Sequence, residues 1–361
     1  MRGQKVILTQ FGETPLDAVA HHLVLAPQEV PAPETLGPKD VVIAVKSAAV
    51  GWVDLLMSSG QYQHMVSPPY TPGLEYAGIV HWIGDAVDQV AVGDRVLADG
   101  FRTGPRSKGA HQTYGGFATY AVAPEEAVLA LPERLSFDQA CNLLGNYETA
   151  YHCLIHRGRL KAGETVLIHG ASGSTGLAAV HIAKHVGATV IATGRSAEKL
   201  AVVQEHGADH GVQIRAGERF RDAVKGLTGG RGADVVYDGV GGEISLETLR
   251  CLRFGARYLI VGWAATPFVA RGKGKRGAPN ANVLPTNLIM MKGLDVLGCP
   301  TVISTVEDPS LRETRLRALM QWVGAGQITP IQPQTYPLSE IREALRAKWE
   351  SRYVGGCVVH P

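Results

Sequence analysis

The sequence predicts an α/β chain in which a small, mostly antiparallel β domain accompanies a doubly wound parallel-sheet domain. Three observations carry this. At 361 residues the chain exceeds what one hydrophobic core usually organises. Up to about residue 130 it runs in short β-rich segments broken by Gly, Pro and Asp. Beyond residue 136, buried-type strands alternate with amphipathic helices.

The elements follow in order. VVIAVKSAAV, YAGIVHWI, DRVLA and FATYAVA read as strands, punctuated by TPG, VGD and APEE. From Ser136, in the N-cap position, to about Gly158 the pattern reads as helix. Next come the strand TVLIHG, the helix GLAAVHIAKHVGA, the strand TVIATG and the helix SAEKLAVVQEHGA. The strand ADVVYDGVG, the helix EISLETLRCLRFG and the strand ARYLIVG complete the run. Such alternation predicts parallel strands joined by right-handed crossovers. Residues 263–285, containing ARGKGKRGAPNAN, read as a loop, and LDVLGC as a further strand. The tail reads as a helix (LRETRLRALMQWVGAG), a strand near ITPIQPQTYP, a helix (SEIREALRAKWES) and a last strand in GGCVV. It is expected to return to the first domain, because a small β domain with few helices needs cover for its open faces.

Composition bounds the function. A chain 45% hydrophobic and 19% charged, with 43 Gly and 20 Pro, suits a loop-rich globular enzyme rather than a disordered or fibrous protein. The formal charge of +2 is too small for a general attraction to nucleic acid or membrane. No segment reaches the apolar length of a membrane span, and MRGQKVILTQFGETP has a polar break before any signal-like run. The expectation is a cytoplasmic protein. Cys141, Cys153, Cys251, Cys299 and Cys357 are odd in number, dispersed and never C-x-x-C, which argues against a disulfide framework or a cysteine zinc lobe. They read as small buried thiols.

The strongest motif is TVLIHGASGSTG, a short apolar strand running into Gly170, Gly173 and Gly176 and then a helix. Gly170 and Gly173 permit a tight turn and close backbone approach to a pyrophosphate, Gly176 permits close helix–strand packing, and the helix directs its first N–H groups at the phosphates. Ser172, Ser174 and Thr175 add hydroxyl donors. The end of the second strand decides which nicotinamide is bound. A free 2′-hydroxyl calls for an acidic acceptor there, yet Thr193, Gly194, Arg195 and Ser196 stand in its place and no carboxylate follows until Glu198. Arg195, Lys199 and the Ser196 hydroxyl suit a 2′-phosphate, so NADPH is the expected cofactor; the alternative is that both cations are solvated residues of a first helical turn.

The chain resembles the medium-chain dehydrogenase/reductase superfamily, specifically its zinc-free NADPH:quinone oxidoreductase branch. The likeness spans nearly the whole chain through SAAVGWVDLLMSSGQY, PGLEYAGIVHWIGDAV, VGDRV, GGFATYAV, ETAYHCL, IHGASGSTGLAAVHIAKHVGATVIAT, VVYDGVGG, the LPTNL run before KGLDVLG, and GGCVVHP. It implies a GroES-like catalytic domain from residues 1–132 and 305–361, a Rossmann NADPH-binding domain over 133–304, and an active site in the cleft. It also implies a homodimer, commonly formed by edge pairing of Rossmann sheets near LDVLGC. Carried over residue by residue, it puts Tyr62 in the cleft and Thr149 near the nicotinamide. Tyr237 to Gly241, with Asp238 and Val240, fall on the ribose and adenine side, and Val261 and Gly262 under the nicotinamide.

Zinc-dependent members of the superfamily have a Cys in the first catalytic loop and a His in a Gly-His-Glu segment. Here Gly51-Trp52-Val53-Asp54 and Gly73-Leu74-Glu75 stand at those places, and leucine cannot bind a metal. His21, His22, His64, His81 and His111 make no ligand spacing, so no metal is expected. A further departure is Gly51, where the quinone oxidoreductase branch usually has Asn.

Without a Lewis acid, a quinone or enone, whose carbon is already electrophilic, is the easier hydride acceptor. Tyr62 is the candidate donor to the developing enolate oxygen; the competing reading is a packing aromatic with water as proton source. Arg271, Lys273, Lys275 and Arg276 crowd four cations into six positions, read either as a solvated loop or as contact for an enoyl-CoA. A non-catalytic NADPH-binding role, as in some crystallins resembling this branch, is the alternative of another class.

Overall fold

The computed structural model describes residues 3–62, 66–215, 217–266, 270–271, 275–276 and 281–361. His64 and Lys273 lie outside the described residues. The chain divides into two compact units: Met1–Leu144 with Ala270–Gly277 and Pro330–Pro361, and Gly145–Val269 with Ala278–Thr329. These divisions fall at 144 and 330, not at 132 and 304. The short helix Phe137–Cys141 packs on the strands of the first unit, whereas Ser310–Gly324 is anchored within the second.

The first unit is built on a seven-stranded sheet. Asp40–Ala49 is its central strand, antiparallel to Tyr76–Ile83, to Tyr120–Pro124 and to Cys357–His360. The last of these strands pairs in parallel with Gln334–Pro337, so the tail adds two strands here. Helix Ile341–Trp349 buries Ile341, Ala344 and Leu345 in the same core as Ile43, Tyr76 and Val359. The N-terminal hairpin Gly3–Leu8 and Leu23–Gln28 encloses a helix, Pro15–His21, which the sequence signals locally: Thr14 caps it through the Asp17 amide and Pro15 opens it.

The second unit is a six-stranded sheet, parallel throughout. Its order is His210–Gln213, Thr189–Gly194, Thr165–His169, Ala233–Asp238, Leu252–Ile260 and Asp295–Gly298. All six residues of Ala233–Asp238 are buried, as expected for a strand covered on both faces.

Two predicted helices are corrected. The helix from Ser136 does begin there, with a capping box to Gln139, but it stops at Asn142, resumes as Leu144–Tyr151 and widens to a π-helix over His152–Arg157. The helix read through EISLETLRCLRFG ends at Arg250, because Leu252 already enters the strand beside Ala233. Strand pairing overrides a helical pattern that only local spacing supported.

Two buried polar networks fasten the second unit. His169, 1% exposed, bridges Thr193 Oγ1 and Thr248 Oγ1, each 2.8 Å away, joining two strands to helix Ile244–Arg250. Burial holds its imidazole below the usual range, with Asp238 opposing weakly. Glu148, also 1% exposed, receives Arg312 Nη2 at 2.9 Å and Arg315 Nε at 2.9 Å, locking helix Ser310–Gly324 onto helix Leu144–Tyr151.

Removing Glu148 leaves two buried guanidiniums without a counter-charge. Glu148→Ala should cost about 3–5 kcal/mol in urea unfolding at pH 7, and a loss under 1 kcal/mol would contradict the pairing. The depressed imidazole of His169 contributes stability that is complete above its unfolded pKa and is lost as pH falls from about 6.5 toward the lower folded value. Wild type should therefore lose thermal midpoint relative to His169→Gln as pH drops below 6.5. A constant offset between pH 7.5 and 5 would refute this.

Candidate functional site

The parallel strands of the second unit end on one edge, where the sequence-marked residues of that unit follow them. Register places His169 beside Thr193, Ile168 beside Tyr237 and Asp238 beside Ile260. The chain turns at Gly170 in a left-handed conformation, φ 64°, and enters helix Ser174–Val186 with Gly173 in the N-cap position, where no side chain caps the first turn. A Cβ on Gly176 would lie 2.2 Å from the Gly170 carbonyl oxygen and 2.9 Å from the Ala171 Cα. Only glycine there lets the helix sit directly against the strand end. Ser172 and Thr175 are half-buried on the same turn, and Thr175 Oγ1 donates to Asn146 Oδ1 at 3.2 Å. That bond links the turn to helix Leu144–Tyr151, which carries Thr149; the Thr149 hydroxyl back-bonds to the Gly145 carbonyl at 2.7 Å.

At the end of the second strand Arg195 is exposed and Lys199 half-buried, close enough that Arg195 helps burial depress the lysine pKa. Ser196 is the N-cap of helix Ala197–Glu205. Its hydroxyl accepts from the Lys199 amide at 3.2 Å and donates to Glu198 at 2.6 Å, so it shapes the turn that presents both cations. Asp238 is 2% exposed. Its Oδ1 accepts from the amides of Val240 and Gly241 at 2.9 and 2.8 Å, and its Oδ2 accepts from Tyr258. The carboxylate builds its own loop. Val240 reaches the Gly170 turn, and the amides of Val261 and Gly262 bond to the Asp238 carbonyl at 2.9 and 3.3 Å.

Tyr62 belongs to the first unit, half-buried beside Arg106. Burial raises its phenol pKa, while the Arg106 guanidinium pulls it back. The loops where zinc-dependent relatives have ligands are organised by Asp54, 5% exposed, whose oxygens accept from the amides of Gly51 and Gly73 at 3.0 and 3.1 Å. Burial pushes this carboxyl up to about 6 against those amides and Arg106. Lys348, on the C-terminal helix, feels the charges of Asp54 and Glu75. Gly51 and Leu74 supply no ligand atom, so the donor set here does not fit a tetrahedral zinc.

Sequence reasoning did not single out His169, Asn146, Asp54 or Arg106. A histidine ending the otherwise apolar run TVLIH was the one readable signal among them.

Known proteins share this arrangement. Residues 37–133 match the alcohol dehydrogenase GroES-like domain family, and residues 174–311 match the zinc-binding dehydrogenase family. The chain is 32% identical over 329 residues to the quinone oxidoreductase-like protein 2 homolog of Nematostella vectensis, covering 91% of this chain and 83% of the relative. The solved quinone oxidoreductase of Pseudomonas syringae superposes with a TM-score of 0.77 at 26% identity, covering 100% of both chains. A mycobacterial protein solved in complex with NADPH matches with a TM-score of 0.77 at 25% identity, covering 99% of this chain and 100% of its own. Among the described residues no helix is long and apolar enough to cross a membrane. A parallel-sheet unit with a dehydrogenase's NAD(P)-binding fold and a GroES-like unit in one chain make this protein an oxidoreductase, and it belongs to the medium-chain dehydrogenase/reductase superfamily, in the quinone oxidoreductase-like branch.

Proposed function

We propose that this oxidoreductase uses NADPH to reduce a quinone, or the activated C=C bond of an enone, without a metal. The observation that carries the reading is the glycine turn, whose backbone can meet a pyrophosphate only because position 176 has no Cβ. Preference for the 2′-phosphorylated cofactor rests on Arg195 and Lys199, neighbouring cations with no carboxylate between the strand and Glu198. When bound, the nicotinamide supplies the hydride. Thr149, Val261 and Gly262 hold its ring, and the amides of the 170–176 turn hold its phosphates.

No step passes through zinc, since Gly51 and Leu74 lack donor atoms and both Asp54 oxygens are engaged by backbone amides. A quinone or enone needs a donor at its oxygen rather than a Lewis acid. Tyr62 fills that role in this reading, a phenol already protonated at neutral pH whose pKa burial raises further. A homodimer is also part of it. Strand Asp295–Gly298 stands at the sheet edge, near the exposed Met290 and Met291, and light scattering that returns a monomer would remove this element.

The deciding assay is NADPH oxidation against quinones, enones and CoA esters, run beside NADPH binding by fluorescence. Binding without turnover would overturn the catalytic reading. Arg195→Ala combined with Lys199→Ala should raise KM for NADPH roughly 10–100-fold, at about 1.5–3 kcal/mol for hydrogen bonds to a charged group, and leave NADH unchanged. Equal losses for both cofactors would argue against a 2′-phosphate site. Tyr62→Phe should lower kcat about a hundredfold at constant NADPH affinity; unchanged kcat would return Tyr62 to a packing role.

A further inference from the structure

Arg195 stands one residue past the end of strand Thr189–Gly194, beyond the point where its pairing with strand His210–Gln213 stops. The last backbone rung there is the Ile214 amide, which donates to the Gly194 carbonyl at 2.8 Å. One step further on, a side chain takes over. Gln213 Nε2 donates to the Arg195 carbonyl at 2.9 Å. Gln213 is the register partner of Gly194, so its amide has a single residue to reach along the neighbouring strand.

Three successive residues are thus held by three different devices. The strand holds Gly194, Gln213 holds Arg195, and the cap bond from the Lys199 amide to the Ser196 hydroxyl, 3.2 Å long, holds Ser196. The middle one carries the cation and is under the most load. Gly194 before it leaves the main chain free to rotate, and the neighbouring Lys199 ammonium repels its guanidinium. Glu198, the carboxylate of this turn, accepts from the Ser196 hydroxyl at 2.6 Å. Loss of the Gln213 bond would release Arg195 while its two neighbours stay fixed.

We propose that Gln213 is a positioning residue for cofactor selection: it holds the Arg195 main chain so that the guanidinium meets the 2′-phosphate of NADPH beside Lys199, and it does nothing for NADH. It acts through Arg195 and not on the ligand. The inference rests on the reading of Arg195 and Lys199 as a grip for that phosphate.

The test is equilibrium binding of NADPH and NADH to the full chain, followed by nicotinamide fluorescence, in wild type, Gln213→Met, Arg195→Ala and the double variant. Methionine keeps the length of glutamine and loses the donor. Gln213→Met should weaken NADPH about fivefold, the worth of one neutral hydrogen bond, and leave NADH within about twofold. With Arg195→Ala already in place the same change should cost less than about twofold, because the side chain it positions is gone. Gln213→Glu, equally long and unable to donate when ionised, should weaken NADPH at least as much as Gln213→Met. The inference alone is overturned if Gln213→Met binds NADPH as wild type does, loses both cofactors alike, or keeps its full effect on top of Arg195→Ala. A wild type that holds NADPH no tighter than NADH, or an Arg195→Ala variant with undiminished NADPH affinity, removes the phosphate grip and this inference with it.

Discussion

One absent methyl group sets the geometry of the nucleotide-binding unit. Because Gly176 has no Cβ, helix Ser174–Val186 seats against the Gly170 carbonyl and its uncapped first turn faces the edge where the strands end. The neighbouring parts take their places from that contact. Thr175 reaches Asn146 and so positions the helix of Thr149, while Val240 packs over the turn from the next strand. Beneath it, His169 joins the neighbouring strand, through Thr193, to helix Ile244–Arg250, through Thr248.

The other unit achieves order at its loops by a different device. The Asp54 carboxylate ties the loop at Gly51 to the loop at Gly73 through two backbone amides. A buried carboxylate is costly, and the amides, Arg106 and Lys348 offset only part of that cost, which is why its acidity is weakened.

Much of this was legible because it is local. The alternation of strands and helices, the three glycines and the missing carboxylate after Thr193 are patterns within a few residues of one another. What escaped depends on distant partners. The helix from Ser136 breaks at Asn142 and widens at His152, although its residues carry no Pro or Gly at the first break. Leu252 belongs to a strand because Ala233 is waiting beside it. The bonds of the Asp238 side chain to Val240, Gly241 and Tyr258 likewise need coordinates. The helix Ser310–Gly324 looked like part of the returning tail, and only Glu148, more than 150 positions earlier, shows which unit owns it.

The central strand of the first sheet, Asp40–Ala49, pairs through Ala49 with Val358, 309 positions away. That edge has no partner while most of the chain is still being synthesised. The parallel sheet lies wholly inside the interval and draws its six strands from residues 165–298. Nascent chains therefore meet an order of assembly written into their topology. The nucleotide-binding unit can consolidate first, while a half-built β sheet with an open, apolar edge waits for closure and is the species most exposed to aggregation or chaperone capture.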